Sequence, residues 1–268
     1  MRRSIIRKTT LAAVCVTVLG FAGHAQAAIM YGIDLGASNL LTINTSTGAA
    51  TVVGSTGAGF INVIGLAFDS SGTLFGVDLT TDKLVTINTS TGAATAVGPL
   101  GSMDVTGLAF DSSGTLFGTD PSTDRLLTIN TTTGLATDVG ALGSPHVVDL
   151  AFDSSGTLYG ADVISDMLVT IDTTTGAAMN VGSFGFAEVH GLEFDANGTL
   201  FGSDTATDQL LTINTATGAA AVVGPLGSDN VTGLSLNTIP EPSSCLVFAG
   251  LALCFGLSGR WRKRQRAA

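Results

Sequence analysis

The sequence predicts an all-β chain folded as a five-bladed β-propeller, and three observations carry that expectation. Near-identical passages recur at a step of 42 residues: GLAFDSSGTLFGVD from Gly65, GLAFDSSGTLFGTD from Gly107, DLAFDSSGTLYGAD from Asp149 and GLEFDANGTLFGSD from Gly191. A fixed step of this length marks a repeat architecture in which each copy is one supersecondary unit. Each copy reads as four short strands, and four antiparallel strands in about 42 residues is the size of a propeller blade. The copies are also offset at the two ends. The first opens at Ile29–Asp34, which aligns with the second strand of a blade, and the last supplies only a first strand, Gly233–Asn237. The C-terminal strand is therefore expected to complete the N-terminal blade and close the ring, whereas a linear solenoid wants distinct caps.

The elements of one repeat follow in order. Leu74–Asp78 is apolar, Lys83–Asn88 alternates, Ala93–Val97 follows a Thr-Ser-Thr-Gly turn, and Val105–Phe110 makes the fourth strand. The turns Asp-Ser-Ser-Gly and Thr-Ser-Thr-Gly place Gly where a tight hairpin needs positive φ, and their Asp, Ser and Thr side chains can bond the turn backbone. No stretch shows helical periodicity over ten residues. The first repeat is two residues longer than the rest, since Gly32 to Gly76 is 44. Val63, Val105, Val147, Val189 and Val231 share one position and are expected in the core between blades.

The two ends stand apart from the repeats. Residues 1–27 carry Arg2, Arg3, Arg7 and Lys8, an apolar run from Leu11 to Ala22, and the small-residue site Ala25-Gln26-Ala27. That order reads as a secretory signal peptide, and Arg2-Arg3 leaves both the Sec and the twin-arginine export routes open. The repeat domain spans residues 28–237. In 238–268, Pro240, Glu241 and Pro242 lead into an apolar segment, Cys245 to Leu257, followed by five basic residues. The segment is shorter than the roughly 20 residues needed to span a bilayer fully, and its basic flank favours the cytoplasmic side. Apolar helical segments are thus expected on both flanks of the propeller. This order of motif, apolar segment and arginine-rich terminus closely resembles the PEP-CTERM sorting signal. The resemblance implies an exosortase as partner, processing near Pro240, Glu241 and Pro242, and a route from transient inner-membrane anchoring to the cell surface or extracellular matrix. It also implies association with exopolysaccharide or biofilm.

Removing both ends changes the charge picture. Between residues 28 and 237 only two basic residues, Lys83 and Arg125, face twenty acidic ones, a formal net charge of −18. So acidic a surface repels phosphate backbones and anionic lipid, which excludes nucleic acid as a partner and leaves the membrane only to the C-terminal segment. The three cysteines all lie in the leader or the tail, so the repeat domain has no disulfide. About 210 residues bury a full core without such staples.

Candidate site residues come from comparing copies within the chain. Immediately before each core valine stands Asn62, Asp104, His146, Glu188 or Asn230, five polar residues expected to form a ring at one mouth of the central channel. Two readings compete: a solvated loop, or a binding ring in which Asp104, His146 and Glu188 hold a divalent cation such as calcium, with His146 admitting a transition metal. His190 is close enough in sequence to join that mouth. A second acidic set pairs Asp78 with Asp82, Asp120 with Asp124, Asp162 with Asp166 and Asp204 with Asp208, while the first repeat has Asp34 and Ser38. Turn capping accounts for these aspartates, and a weakly cation-binding face is the competing reading. The Asp-Ser-Ser-Gly turns lack the ligand series of a calcium loop.

The repeats also resemble the extracellular propellers with a GLAFD-x-x-G-x-L-Y-G blade, among them NHL-type and SMP-30-like folds. That likeness spans Ile29 to Asn237 and rests on blade-packing residues, so it implies fold more than function. Three functions remain: a non-enzymatic binding or structural propeller for polysaccharide, surface proteins or cations; a metal-dependent, lactonase-like hydrolase at the ring; and glycoside hydrolysis with Asp104 and Glu188 as paired carboxylates. No nucleophile motif occurs, nothing near Asp104 and Glu188 predicts the split in pKa that two roles need, and the domain has no Trp. The first reading is the expectation.

Overall fold

The computed structural model describes residues 29–237 apart from 103 and 145. The signal peptide, the Pro240-Glu241-Pro242 motif and the flanking apolar segments expected from the sequence lie outside the described residues.

The chain opens with β1 (Ile29–Asp34), β2 (Asn39–Ile43) and β3 (Ala50–Ser55). Four complete units follow. They are β4 (Val63–Phe68), β5 (Leu74–Asp78), β6 (Lys83–Ile87) and β7 (Ala94–Pro99); β8 (Leu108–Phe110), β9 (Leu116–Asp120), β10 (Arg125–Ile129) and β11 (Ala136–Ala141); β12 (Val147–Phe152), β13 (Leu158–Asp162), β14 (Met167–Ile171) and β15 (Ala178–Ser183); and β16 (Val189–Phe194), β17 (Leu200–Asp204), β18 (Gln209–Ile213) and β19 (Ala220–Pro225). The last strand, β20 (Val231–Asn237), pairs antiparallel with β1, so the first sheet runs β20-β1-β2-β3 and each of five sheets has four strands. The result is an all-β, five-bladed propeller closed by its C-terminal strand. The inner strand of the third blade is shorter than the expected Val105–Phe110, although the Thr106 N–H still donates to the Thr119 carbonyl at 2.9 Å.

Burial explains the strand sequences. The second strand of every complete blade lies between neighbouring blades and reads as an unbroken apolar run such as LFGVD, while the outermost strand is largely exposed. Five apolar clusters fill the five spaces between blades. Four of those spaces hold an aromatic pair, for instance Phe75 against Phe110 with centroids 5.6 Å apart. At the closing interface Phe201 meets Leu236 instead.

Blades also touch through backbone. The glycine of each Thr-x-Thr-Gly or equivalent turn abuts a glycine in the outermost strand of the preceding blade: a Cβ on Gly134 would lie 2.4 Å from the Gly98 carbonyl oxygen, and one on Gly48 would lie 2.4 Å from that of Gly224. The second pair spans the closure, so the last interface repeats the other four.

These contacts set an order of tolerance. Gly156 has φ +89° and open space around its Cβ direction, so Gly156→Ala is expected to cost about 1–2 kcal/mol, the strain of the left-handed conformation alone. Gly134→Ala adds a backbone collision at φ +85° and is expected to cost about 3–4 kcal/mol. Denaturant midpoints of the two variants check the ranking, and equal costs would show that the interface yields freely.

Candidate functional site

Asn62, Asp104, His146, Glu188 and Asn230 each stand just before an inner strand, at one mouth of the channel. Their carbonyls are used by the fold: the N–H groups of Leu79, Val163, Thr205 and Leu35 donate at 3.1 Å to Asn62, His146, Glu188 and Asn230 respectively. Asp104, Glu188 and Asn230 have φ of 65°, 66° and 54°, a left-handed conformation for which Asp and Asn are suited and Glu less so. Asp104, His146, Glu188 and Asn230 are exposed, and the ring makes one side-chain ion pair, Glu188 Oε2 to His190 Nε2 at 2.8 Å. Among the described residues no three His, Cys, Asp or Glu side chains gather so as to hold a metal. The expected ligand set of Asp104, His146 and Glu188 is therefore not assembled. Each member sits on a separate blade and turns to solvent.

The paired aspartates build turns. Asp82, Asp124, Asp166 and Asp208 adopt φ between 50° and 57°, as does Ser38 at 53°, and their carbonyls accept N–H groups from the loop that follows the outermost strand, such as Leu100 to Asp82 at 2.9 Å. Their buried partners clamp the loop before the inner strand: Ser102 Oγ donates to Asp120 Oδ2 at 2.6 Å, Ser144 Oγ to Asp162 Oδ2 at 2.5 Å, and Ser228 Oγ to Asp34 Oδ2 at 2.6 Å. Burial pushes the Asp120 carboxyl up, but the hydroxyls of Ser102, Ser122 and Thr123 outweigh it and hold the group below the usual carboxylate range. At the opposite mouth the Asp-Ser-Ser-Gly turns are Asx turns, with Asp111 Oδ1 accepting the N–H of Thr115 at 2.7 Å and of Ser113 at 2.9 Å.

That opposite mouth holds the one departure from fivefold repetition that gathers charge. A vestibule of about 350 Å³ opens there, walled by Phe68, Phe110, Phe152 and Phe194 and rimmed by Asp69, Asp111, Asp153 and Asp195. Its floor carries Glu193, where the equivalent residues are Ala67, Ala109, Ala151 and Ser235. Below it lies Asp149, 1% exposed, in the position that is Gly65, Gly107, Gly191 and Gly233 in the other copies. A Cβ on Gly65 would stand 1.9 Å from the Thr106 carbonyl oxygen and one on Gly107 2.6 Å from Asp149 Cα, so the axis admits a side chain at this blade and not at those two.

Burial raises the Asp149 carboxyl well above its usual range, opposed by the amides of Leu192, Leu150, Leu108 and Leu234. The Leu192 N–H donates to Oδ2 at 2.8 Å, while Oδ1 has no hydrogen-bond partner. Glu193 touches solvent only through the vestibule. Its enclosure, and next the neighbouring Asp149, push its carboxyl up to about 8. Both carboxyls are thus held above the usual carboxylate range, each first of all by burial. Sequence reasoning passed over both residues. The signal was present in DLAFD and GLEFD, where a charge replaces the small residue of the other copies.

Residues 74–225 match a family whose description is a repeat of unknown function (DUF6923). No curated protein matches the sequence. Among solved structures, a chain of a nidogen–laminin complex superposes with a TM-score of 0.55 at 14% identity, over 78% of this chain and 98% of that one. A gluconolactonase from Xanthomonas campestris gives 0.54 at 16%, over 78% and 82%. The chain spans 62% of the length of a virginiamycin B lyase from Staphylococcus aureus, with 69% of this chain covered, 17% identity and a TM-score of 0.45. At these identities the first two likenesses establish the fold alone.

The raised carboxyls make stability depend on pH. A carboxyl whose pKa is higher folded than unfolded stabilises fully below the unfolded value, here 4.5 for Glu193, and that contribution is lost as pH rises through about 8. The denaturation midpoint is therefore expected to fall between pH 5 and pH 9 by the equivalent of a few kcal/mol, on the order of 2–3 after allowance for the vestibule water. In Glu193→Gln the fall shrinks to the share of Asp149. An unchanged slope in the variant would place the proton elsewhere.

Proposed function

Because the chain belongs to DUF6923, a repeat family of unknown function, we propose from its own geometry that it is a non-enzymatic binding propeller, exported and displayed at the cell surface or in the extracellular matrix. The observation that carries the binding part is the fate of its polar residues. Aspartates repeated among the blades are spent on turns and interstrand clamps, whereas two charged departures from repetition are neighbours on the axis, Glu193 lining the vestibule and Asp149 buried beside it. A closed ring with a distinctive pocket at one mouth suits recognition. A metal-dependent hydrolase at the other mouth has no assembled ligand set to support it.

The display part rests on the sequence. Residues 1–27 have the order of a secretory leader, and Pro240, Glu241 and Pro242 open a tail like the PEP-CTERM signal. In this reading an exosortase releases the domain from the inner membrane, and exopolysaccharide or surface proteins surround it afterwards.

Fractionation of the producing cells tests this. The full chain is expected in the surface or matrix fraction, and the Pro240→Ala, Glu241→Ala, Pro242→Ala triple variant is expected to remain with the inner membrane. Recovery of the unaltered chain in the cytoplasm would end the display reading.

A further inference from the structure

We propose that Asn197 is a covalent modification site. In the folded chain it loses its amide through a succinimide formed with Gly198, which leaves aspartate and isoaspartate in the turn between β16 and β17.

Sequence and geometry together single out this asparagine. The chain has ten asparagines, and nine of them precede Leu, Thr or Val, whose side chains crowd the backbone nitrogen that would have to attack. Asn197 alone precedes glycine, which has no Cβ to obstruct the approach. Four of the nine, Asn44, Asn88, Asn130 and Asn214, are also fixed in Asx turns, each side-chain oxygen accepting two backbone N–H groups at 2.9 to 3.2 Å. The side chain of Asn197 makes one hydrogen bond, Nδ2 to Asp195 Oδ2 at 3.2 Å, and the residue is exposed together with Ala196 and Gly198. Nothing lies within 4 Å of the Cβ direction of Gly198. The three equivalent hairpins carry Ser71, Ser113 and Ser155, whose hydroxyls donate to Asp69, Asp111 and Asp153 and offer no carbonyl to attack.

The chemistry needs only water. The Gly198 backbone nitrogen gives its proton to solvent and bonds to Asn197 Cγ, and the side-chain nitrogen leaves as ammonia. Water then opens the ring. Breaking the new bond between Cγ and the Gly198 nitrogen gives aspartate, whereas breaking the original peptide bond gives isoaspartate, with the main chain passing through Cγ. The net exchange is amide plus water for acid plus ammonia. In the closed turn the Gly198 N–H donates to the Asp195 carbonyl at 3.0 Å. A single exposed hydrogen bond of this kind is a small barrier to local opening, which frees the nitrogen.

The product alters one segment of the vestibule rim. Asp195 lines the vestibule beside Phe194, and its Oδ1 accepts the N–H groups of Asn197 and Thr199 at 2.9 and 2.8 Å. Aspartate at 197 replaces an amide donor to Asp195 with a second carboxylate. Isoaspartate lengthens a turn that closes directly onto the Phe194–Leu200 pair. Modification therefore loosens the rim at the fifth blade and at no other hairpin.

Incubation of the full chain, folded and in denaturant, followed by digestion and electron-transfer mass spectrometry of the peptides, tests the proposal. In the folded chain residue 197 is expected to be the first asparagine to lose its amide, as a mixture of aspartate and isoaspartate, and the thermal midpoint is expected to fall as the amide is lost. Asn197→Ser installs the residue that three other blades already carry, so it is expected to keep the fold and to abolish both the mass change and the fall in midpoint. An amide at 197 that outlasts another asparagine, or that survives in the folded chain while the unfolded chain loses it, would overturn the site. Aspartate without isoaspartate would overturn the succinimide route. An equal fall in the midpoint of Asn197→Ser would overturn the effect on the rim.

Discussion

Backbone meeting backbone between neighbouring blades is the constraint from which the rest follows. At the rim, paired glycines such as Gly98 and Gly134 leave no room for a methyl group. At the axis the inner strands press as closely, with the Cβ direction of Gly233 occupied by the backbone of Gly65. Packing this tight transmits no slack from one blade to the next, so every copy must present the same small residues at the same step. The regularity of the sequence is thus a steric requirement of the ring. Any side chain that breaks it has been accommodated specifically.

Asp149 is such a case. In the first and second blades the equivalent glycines, Gly233 and Gly65, have φ of 54° and 53° and are skipped in the strand ladder, whereas in the fourth blade the ladder skips Val148 and Asp149 pairs with Ala161. Shifting the bulge by one residue takes Asp149 out of the left-handed conformation and turns its side chain onto the axis. There the backbone amides of Leu192, Leu150, Leu108 and Leu234 oppose the effect of burial on its carboxyl. With Asp149 buried beside Glu193, the vestibule acquires a floor unlike that of any other blade pair. The opposite mouth gained no comparable centre. Its polar ring owes much of its composition to left-handed backbone at Asp104, Glu188 and Asn230.

The step of 42, the turn glycines and the end offset made blade number, strand order and ring closure legible before any coordinates, because each reflects local chemistry repeated five times. The ring of Asn62, Asp104, His146, Glu188 and Asn230 is legible as a set of loop positions, and among the described residues no three of its ligating side chains gather. Positions that are polar in every copy fall in solvated loops. The informative variation lay where the other copies are small: Gly to Asp at 149 and Ala to Glu at 193. Reading those as a pair required knowing that inner strands of different blades bring position 149 beneath position 193. No spacing rule gives that juxtaposition across the 43 residues of intervening chain.

The closing strand links the pocket to the ends of the chain. β20 contributes Ser235, Leu236 and Asn237 to the vestibule, so the pocket is complete only when the C-terminal strand has docked beside β1. Ile29 and Asn237 are partners in that ladder, and Asn237 lines the pocket. Ring closure and completion of the pocket then share one short strand, so the two cannot be separated.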